Sequence, residues 1–255
     1  MKKTIKYVVY DIIRNRFVMG YTLLLLVLSI SFYLFESDSN KGILSLLNIN
    51  IMVIPLVSVI FSTIHFYNSY EFIELMAAQP ISRRTIFFSQ FLGLSISLSL
   101  AFLVGIGLPT LIFDGSAKGL TLIGSGLLIT LVFVSVAFLA SVITRDKAKG
   151  IGIALGLWFY LCILYDGLVL SVLVNMSDYP METASLVLSA LNPADLARIL
   201  VLMQLDVSAL MGITGAIFHD FFSAKWGIAL SFIMLILWVL IPLFFSYRIF
   251  NKKDL

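Results

Sequence analysis

The sequence is poor in the residues that most enzyme sites need. It has one cysteine, Cys162, and two histidines, and only 12% of its 255 residues are charged. A single cysteine excludes a disulfide framework within the chain. The sequence also lacks a P-loop, an HExxH motif and a Ser/His/Asp arrangement. We therefore expect no catalytic residue, no metal site and no cofactor held by this chain.

Apolar residues are abundant instead. They make up 60% of the chain, and the mean hydropathy is +1.06. Several apolar runs are long enough to cross a bilayer as helices, which takes about 20 residues. Their lack of two-residue alternation favours helices over a membrane barrel. The sequence predicts an all-α integral membrane protein with six transmembrane helices near residues 17–35, 47–66, 86–113, 120–143, 151–174 and 226–247.

Positive charge is concentrated on one side of these spans. The termini and the loops after the second and fourth spans hold Lys2, Lys3, Lys6, Arg14, Arg16, Arg83, Arg84, Arg145, Lys147, Lys149, Arg248, Lys252 and Lys253. The other side holds Lys41, Lys118, Arg198 and Lys225. Cytoplasmic loops carry the excess of Lys and Arg, so both termini are predicted in the cytoplasm. This asymmetry explains the net charge of +3 without any nucleic acid partner.

Residues 1–16 precede the first span and predict an amphipathic helix at the cytoplasmic face. At helical spacing one side carries Lys3, Lys6, Tyr10 and Arg14, and the opposite side carries Ile5, Val8, Val9 and Ile12. Such a helix lies on the inner leaflet with its basic side toward lipid phosphates. Ordinary basic flanking of the first span is the alternative interpretation.

The loop at 67–84 between the second and third spans contains a second short helix. Residues 70–78 form about two turns, Pro80 disfavours helix at Gln79, and Ser82 caps the next span. Its apolar residues would be exposed in a free loop, so we interpret it as a docking helix for a cytoplasmic protein. A helix half-sunk in lipid is the alternative. The candidate contact residues are Tyr70, Glu71, Glu74, Leu75, Gln79, Pro80, Arg83 and Arg84.

The outer segment at 175–225 is apolar but interrupted. Asn192 can cap a helix with Pro193 in its first turn and Asp195 near its positive end. About twelve residues cannot span the membrane, so this helix, which also holds Arg198, is predicted to be interfacial or re-entrant, as is the piece at 209–218. Methionine and histidine are ligands that copper accepts, but the methionines and His219 of this segment are not spaced in the sequence as a metal-binding motif.

Two features lie inside the fifth span. Asp166 is an acid within the membrane, where a charge usually marks a buried partner or a function. We expect a structural partner, either Tyr165 or a neighbouring helix, and a role in a transport path is the alternative. Gly152 and Gly156 form a small-xxx-small pair, which predicts close helix packing.

The N-terminal surface helix, six spans and short acidic helix together resemble the permease subunits of ABC-2 type transporters. The order of GLWFYLCILYDGLVLSVLV (156–174), ALNPADLARIL (190–200) and MGITGAIF (211–218) is similar to the branch that serves assembly of the copper–sulfur cluster of nitrous-oxide reductase. The resemblance implies a non-catalytic subunit in the bacterial inner membrane. An exporter of a peptide, lipid or drug, and a membrane scaffold without transport, are the alternatives.

The resemblance also implies partners. A second copy of the chain would pair with it in the membrane, and a cytoplasmic ABC ATPase dimer would bind ATP and Mg²⁺ and contact the docking helix, which is the coupling helix of that family. A periplasmic copper-handling protein would meet the outer segment at Asn192, Pro193, Asp195 and Arg198.

Overall fold

The structure, a computed structural model, describes residues 2–36, 39–175, 187–205 and 224–252, and within these ranges it contains no strand. Residues 187–190 form one helical turn. The helices are α1 (Lys2–Ile13), α2 (Arg16–Phe35), α3 (Ser39–Asn68), α4 (Tyr70–Ala77), α5 (Arg83–Phe102), a π-helix (Leu103–Gly107), α6 (Leu108–Phe113), α7 (Ala117–Ile143), α8 (Lys147–Phe159), a second π-helix (Tyr160–Leu164), α9 (Tyr165–Asn175), α10 (Pro193–Leu202) and α11 (Ala224–Lys252).

The six predicted transmembrane helices are confirmed. The stretches long and apolar enough to span a membrane are 16–35, 40–68, 83–113, 117–143, 147–172 and 227–252. The largest difference is in the second span, which was predicted to begin at 47. It begins earlier because Ile43 and Leu46 are already helical and fully buried in the bundle. The predicted re-entrant piece at 209–218 lies outside the described residues.

The two ends of the bundle differ in charge. The basic end, as we call it, carries α1, α4, the connection between α7 and α8, and the last turn of α11. The far end is the opposite one. At the basic end, Lys147 donates to Asn68 Oδ1 at 2.8 Å, and Arg83 donates to the Asn251 carbonyl at 3.4 Å. These contacts join the ends of four spans in two pairs, α3 with α8 and α5 with α11.

The fourth span, α7, is the centre of the bundle. Its most apolar window is 72% buried, against 17% for the last span. Small residues allow this central position, because a Cβ at Gly126 would collide with the Phe102 ring and reach the Asn50 amide. The spans at the periphery, α2, α8–α9 and α11, expose apolar faces.

Several buried polar side chains in the bundle donate to backbone carbonyls. Thr130 and Ser141 donate to the carbonyl four residues earlier in α7, at 2.8 and 2.7 Å. Asn50 of α3 donates across to the Leu122 carbonyl at 3.1 Å. Lipid offers no water to replace such bonds. The bonds of Thr130 and Ser141 stay within α7, whereas the Asn50 bond holds α3 against α7.

The first π-helix has an identifiable cause in Pro109. A proline lacks its N–H and clashes with the carbonyl four residues earlier, here that of Gly105. Ser29 of α2 donates to that Gly105 carbonyl at 2.6 Å. A Cβ at Gly105 would collide with the Leu25 side chain, which explains the close approach of α2. Neither π-helix was predicted from the sequence.

The predicted N-terminal helix forms, but part of its apolar side faces the protein. Val8 and Ile12 are buried, and a Cβ at Gly93 of α5 would overlap Val8. Lys6, Tyr10 and Arg14 are exposed as expected. The helix therefore packs against α5, and its contact with the inner leaflet stays a prediction.

Candidate functional site

The loop between α3 and α5 has the local structure that its residues predict. A single residue, Ser69, separates α3 from α4, and its N–H donates to the His65 carbonyl at 2.9 Å. After α4 ends, Pro80 lies in an exposed turn. Ser82 caps α5, because its Oγ accepts from the Thr85 N–H at 3.3 Å. The predicted break at Pro80 and cap at Ser82 are present.

The inner side of α4 is covered by this chain. Ile73 and Met76 are buried, at 1% and 6% exposure. Phe72 is half-buried and stacks on Tyr7 of α1, with ring centroids 5.9 Å apart. The interpretation that a partner covers the apolar residues of this helix is wrong for Ile73 and Met76, because α4 packs them into its own bundle.

The outer side of α4 is what remains for a partner. Glu71, Glu74, Leu75 and Ala78 are exposed and lie three, four and seven residues apart, which places them on one face. We call these four residues the docking face. Leu75 is 66% exposed, and neither glutamate makes an ion pair with any described residue. An exposed apolar side chain beside two carboxylates is complementary to a protein surface with a small pocket and nearby cations.

The other predicted residues of this loop frame the docking face. Gln79 is exposed, and Tyr70 is half-buried. Arg84 lies over the Phe88 ring, 5.9 Å from its centroid, and Arg83 reaches Asn251 at the end of α11 as described above. The start of α5 is therefore attached to the last span.

A polar cleft of about 200 Å³ lies behind α4, between α1, α3 and α5. Asp11, His65, Ser69 and Gln90 contribute to its lining. The Ser69 hydroxyl and His65 Nε2 are 3.3 Å apart. This cleft was not predicted, because its lining residues come from helices that are separate in the sequence.

A second constellation, the outer cluster, consists of Asp166, Asn192, Asp195 and Arg198. The Arg198 guanidinium contacts Asp166 Oδ2 and Asp195 Oδ1, each at 3.0 Å. Asn192 Nδ2 lies 3.5 Å from Asp166 Oδ1, and its own Oδ1 accepts from the Ala194 N–H at 3.0 Å as the cap of α10. The cluster joins the fifth span to α10.

The charges of the outer cluster do not balance. One guanidinium is shared by two carboxylates, and the Asp195 side chain is only 8% exposed. Burial raises the pKa of Asp195 most, the Asp166 carboxylate raises this pKa as well, and Arg198 lowers it, with a net value of about 7. Neutral and ionised Asp195 therefore interconvert near neutral pH.

The segment that carries α10 is inserted among the spans. Tyr165 donates to the Leu188 carbonyl at 2.6 Å, and Trp238, midway along α11, donates to the Ala190 carbonyl at 3.2 Å. Asp166 lies 19 residues after Lys147, or about 28 Å along the helix. These contacts hold α10 beside the fifth and last spans, and its interfacial or re-entrant position in the membrane stays a prediction.

The structure brings the predicted outer residues and Asp166 together, which the sequence did not suggest. Of the two predicted partners of Asp166, the neighbouring helix is the one observed, because Arg198 of α10 contacts its carboxylate. The Tyr165 hydroxyl donates to the Leu188 carbonyl instead. Asn192, Pro193 and Asp195 are buried within the chain, and the Arg198 side chain is 34% exposed. Contact of these residues with a periplasmic protein stays a prediction.

Potential metal ligands are scattered. Among the described residues, no three of His, Cys, Asp and Glu lie close enough to hold an ion. Met203 is buried, whereas Met176, Met181, Met211 and His219 lie outside the described residues.

Comparisons with known proteins extend over nearly the whole chain. A family model described as "ABC-2 family transporter protein" matches residues 6–255. A Pseudomonas aeruginosa protein named "Probable ABC transporter permease protein NosY" is 27% identical over 224 residues, which cover 80% of this chain and 82% of the relative. A protein of the same name from Stutzerimonas stutzeri is 26% identical, with 95% of each chain covered.

Proposed function

The chain belongs to the ABC-2 transporter family as a membrane permease subunit, and from this premise we propose that it couples ATP hydrolysis by a separate ATPase to movements of its far end. ATP and Mg²⁺ bind to the partner ATPase dimer, and this chain contributes no catalytic residue. The basic end and both termini lie in the cytoplasm, and the spans cross the bacterial inner membrane.

The docking face is the observation that supports this function best. Glu71, Glu74 and Leu75 are exposed together on a helix whose opposite side, Ile73 and Met76, is packed into the bundle. A partner that binds the exposed face therefore pushes on a helix that has little freedom to move alone. An ATPase surface with a pocket for Leu75 and cations for the two glutamates is complementary to it.

A continuous set of contacts leads from α4 to the far end. Arg83 at the start of α5 contacts the end of α11, and Trp238 of α11 donates to Ala190 just before α10. Arg198 of α10 then contacts Asp166 of the fifth span. We infer that closure of the ATPase dimer is transmitted through these contacts and shifts the outer cluster. Such a route supports transport or mechanical transmission equally.

A second copy of the chain completes the transporter. Among the described residues, a Cβ at Gly152 or Gly156 would have no neighbour within 4 Å, so no described helix makes the predicted close packing with this pair. Small residues spaced four apart let two membrane helices approach closely. We propose that the fifth spans of two copies meet at these glycines.

The biological role that fits the named relatives is maturation of nitrous-oxide reductase. We propose that the transporter serves assembly of the copper–sulfur cluster, together with a periplasmic copper-handling protein at the far end. Deletion of the gene should leave a reductase that lacks this cluster and retains its other copper centre. A fully loaded reductase in the deletion strain would contradict this role.

The coupling role is tested by reversing the charges of the docking face. Glu71→Lys with Glu74→Lys should reduce copurification of the ATPase at least tenfold, because unlike charges would become like charges. The control reverses two acids at the far end, Glu36→Lys with Asp114→Lys, and should leave copurification unchanged. Normal copurification and ATPase stimulation in the docking-face variant would refute the coupling role.

A further inference from the structure

Two apolar grooves meet at the basic end beside Ile13. The first, of about 380 Å³, runs between α2 and α5 and is lined by residues including Met19, Leu23, Leu100 and Val104. The second, of about 410 Å³, follows α1. Ile13 lines both grooves and is 41% exposed. Apolar grooves on a membrane protein at this level face acyl chains.

The helix α1 has three distinct sides, and their order around the helix determines which environment the grooves face. Val8 and Ile12 are buried against the bundle. Ile5, Val9 and Ile13 follow at four-residue spacing and line the second groove. At about 100° per residue, these three lie between the buried side and the basic side. On the inner leaflet, where this helix is predicted to lie, they face the membrane interior while the basic side faces its surface.

Cations border the second groove. Lys6 and Arg14 line it together with the apolar residues, and both are exposed. The Arg14 guanidinium donates to the Tyr10 hydroxyl at 2.9 Å, and neither cation makes an ion pair with a described residue. The acid of this helix, Asp11, lines the polar cleft on the other side of α1. Among the described residues, no acid therefore neutralises the positive charge beside the grooves.

We propose that these grooves form a binding site for an anionic phospholipid, with its phosphate on Lys6 and Arg14 and one acyl chain on each side of Ile13. The first groove extends from Val18 to Leu26, which is about 12 Å along α2. That length accommodates much of one acyl chain in one leaflet. A second copy of this chain fits the site less well, because it would bring the same cations together.

Binding of this lipid acts on the coupling region. The same helix that holds the phosphate stacks Tyr7 on Phe72 of α4 and inserts Val8 against Gly93 of α5. A bound anionic lipid stabilises α1 in this position and thereby supports α4 from behind. This consequence rests on the proposed coupling function, whereas the binding itself does not.

The site is tested by native mass spectrometry of the purified full-length chain titrated with phosphatidylglycerol or with phosphatidylcholine of the same acyl chains. Wild type should bind phosphatidylglycerol about tenfold or more tightly than phosphatidylcholine, since each cation near a phosphate contributes measurably. Lys6→Gln with Arg14→Gln should abolish this preference. Lys149→Gln with Lys252→Gln removes two exposed cations elsewhere at the basic end and should retain it.

The groove is tested separately from the charges. Val104→Trp fills the first groove and should weaken binding of both lipids at least fivefold. Leu108→Trp, one turn further along and outside the groove, should not. Soluble glycerol phosphate should compete poorly, because it lacks acyl chains. Equal binding of the two lipids by wild type, full competition by glycerol phosphate, or unchanged binding in Val104→Trp would each overturn the site. The coupling function is tested separately by ATPase copurification, so none of these results would contradict it.

Discussion

Arg198→Met is the most informative single change at the far end. In wild type the guanidinium contacts Asp166 and Asp195 at 3.0 Å each. Methionine keeps the apolar stem of the side chain but lacks the guanidinium, so two carboxylates are left facing each other. Breaking a buried ion pair costs about 3–5 kcal/mol, and screening reduces this for exposed pairs. Because the Arg198 side chain is 34% exposed, we expect a loss of about 2 kcal/mol of unfolding free energy at pH 8.

The loss should depend on pH in a defined direction. The pKa of Asp195 is raised to about 7, above the value of about 3.9 for an unfolded chain. A raised carboxyl pKa means that stability is fully present below about pH 4 and is lost as the pH rises toward 7. Removing Arg198 removes the group that lowers this pKa, so the variant should lose stability over a wider range. Arg198→Met is therefore expected to be more damaging at pH 8 than at pH 5.

The assay is thermal unfolding of the purified chain in detergent at both pH values. At about 2–4 °C per kcal/mol, the Arg198→Met midpoint should fall by about 4–8 °C at pH 8. Adding Asp195→Asn should remove most of the pH difference. Arg248→Met, an exposed arginine over the Phe244 ring, is the control and should shift the midpoint little. Equal shifts for Arg198→Met at pH 5 and pH 8, or no shift at either, would refute the reasoning.

Two further predictions concern the packing of the spans, and both are measured by the same unfolding assay. Ser29→Ala should lower the free energy of unfolding by about 1 kcal/mol, because it removes the bond to the Gly105 carbonyl. This loss should be smaller in a Pro109→Ala background, where residue 109 regains an N–H, and an unchanged loss would show that Pro109 does not cause the π-helix. Gly126→Ala should lower the free energy of unfolding by about 1–3 kcal/mol through overlap with Phe102, and Phe102→Leu should recover part of this loss. Equal stability of Gly126→Ala and wild type would mean that the two helices can move apart without cost.

The sequence predicted those features that depend on local rules. Long apolar runs placed the spans, and Pro80, Ser82 and Asn192 marked helix ends through their backbone chemistry. These signals act within a few residues, so a single sequence carries them.

Features that depend on contacts between distant residues were not predicted. Asp166 and Arg198 are 32 positions apart, and each was noticed alone as a charge in an apolar segment. Two opposite charges that are each costly in a membrane could have suggested a pair. The inward packing of Ile73 and Val8 could not be predicted, because an amphipathic pattern does not show whether its apolar side contacts lipid or protein.

The short connection between α3 and α4 has a mechanical consequence. With only Ser69 between the two helices, the joint has almost no slack, so a displacement of α4 is passed on as rotation of α3 and is not absorbed by a loop. Since α3 has 30 residues and is about 45 Å long, a shift of about 3 Å at α4 corresponds to a tilt of only about 4°. Pro55 interrupts the hydrogen bonding midway along α3 and allows the helix to bend there. The half of α3 nearest α4 could then tilt while the other half stays packed on α7.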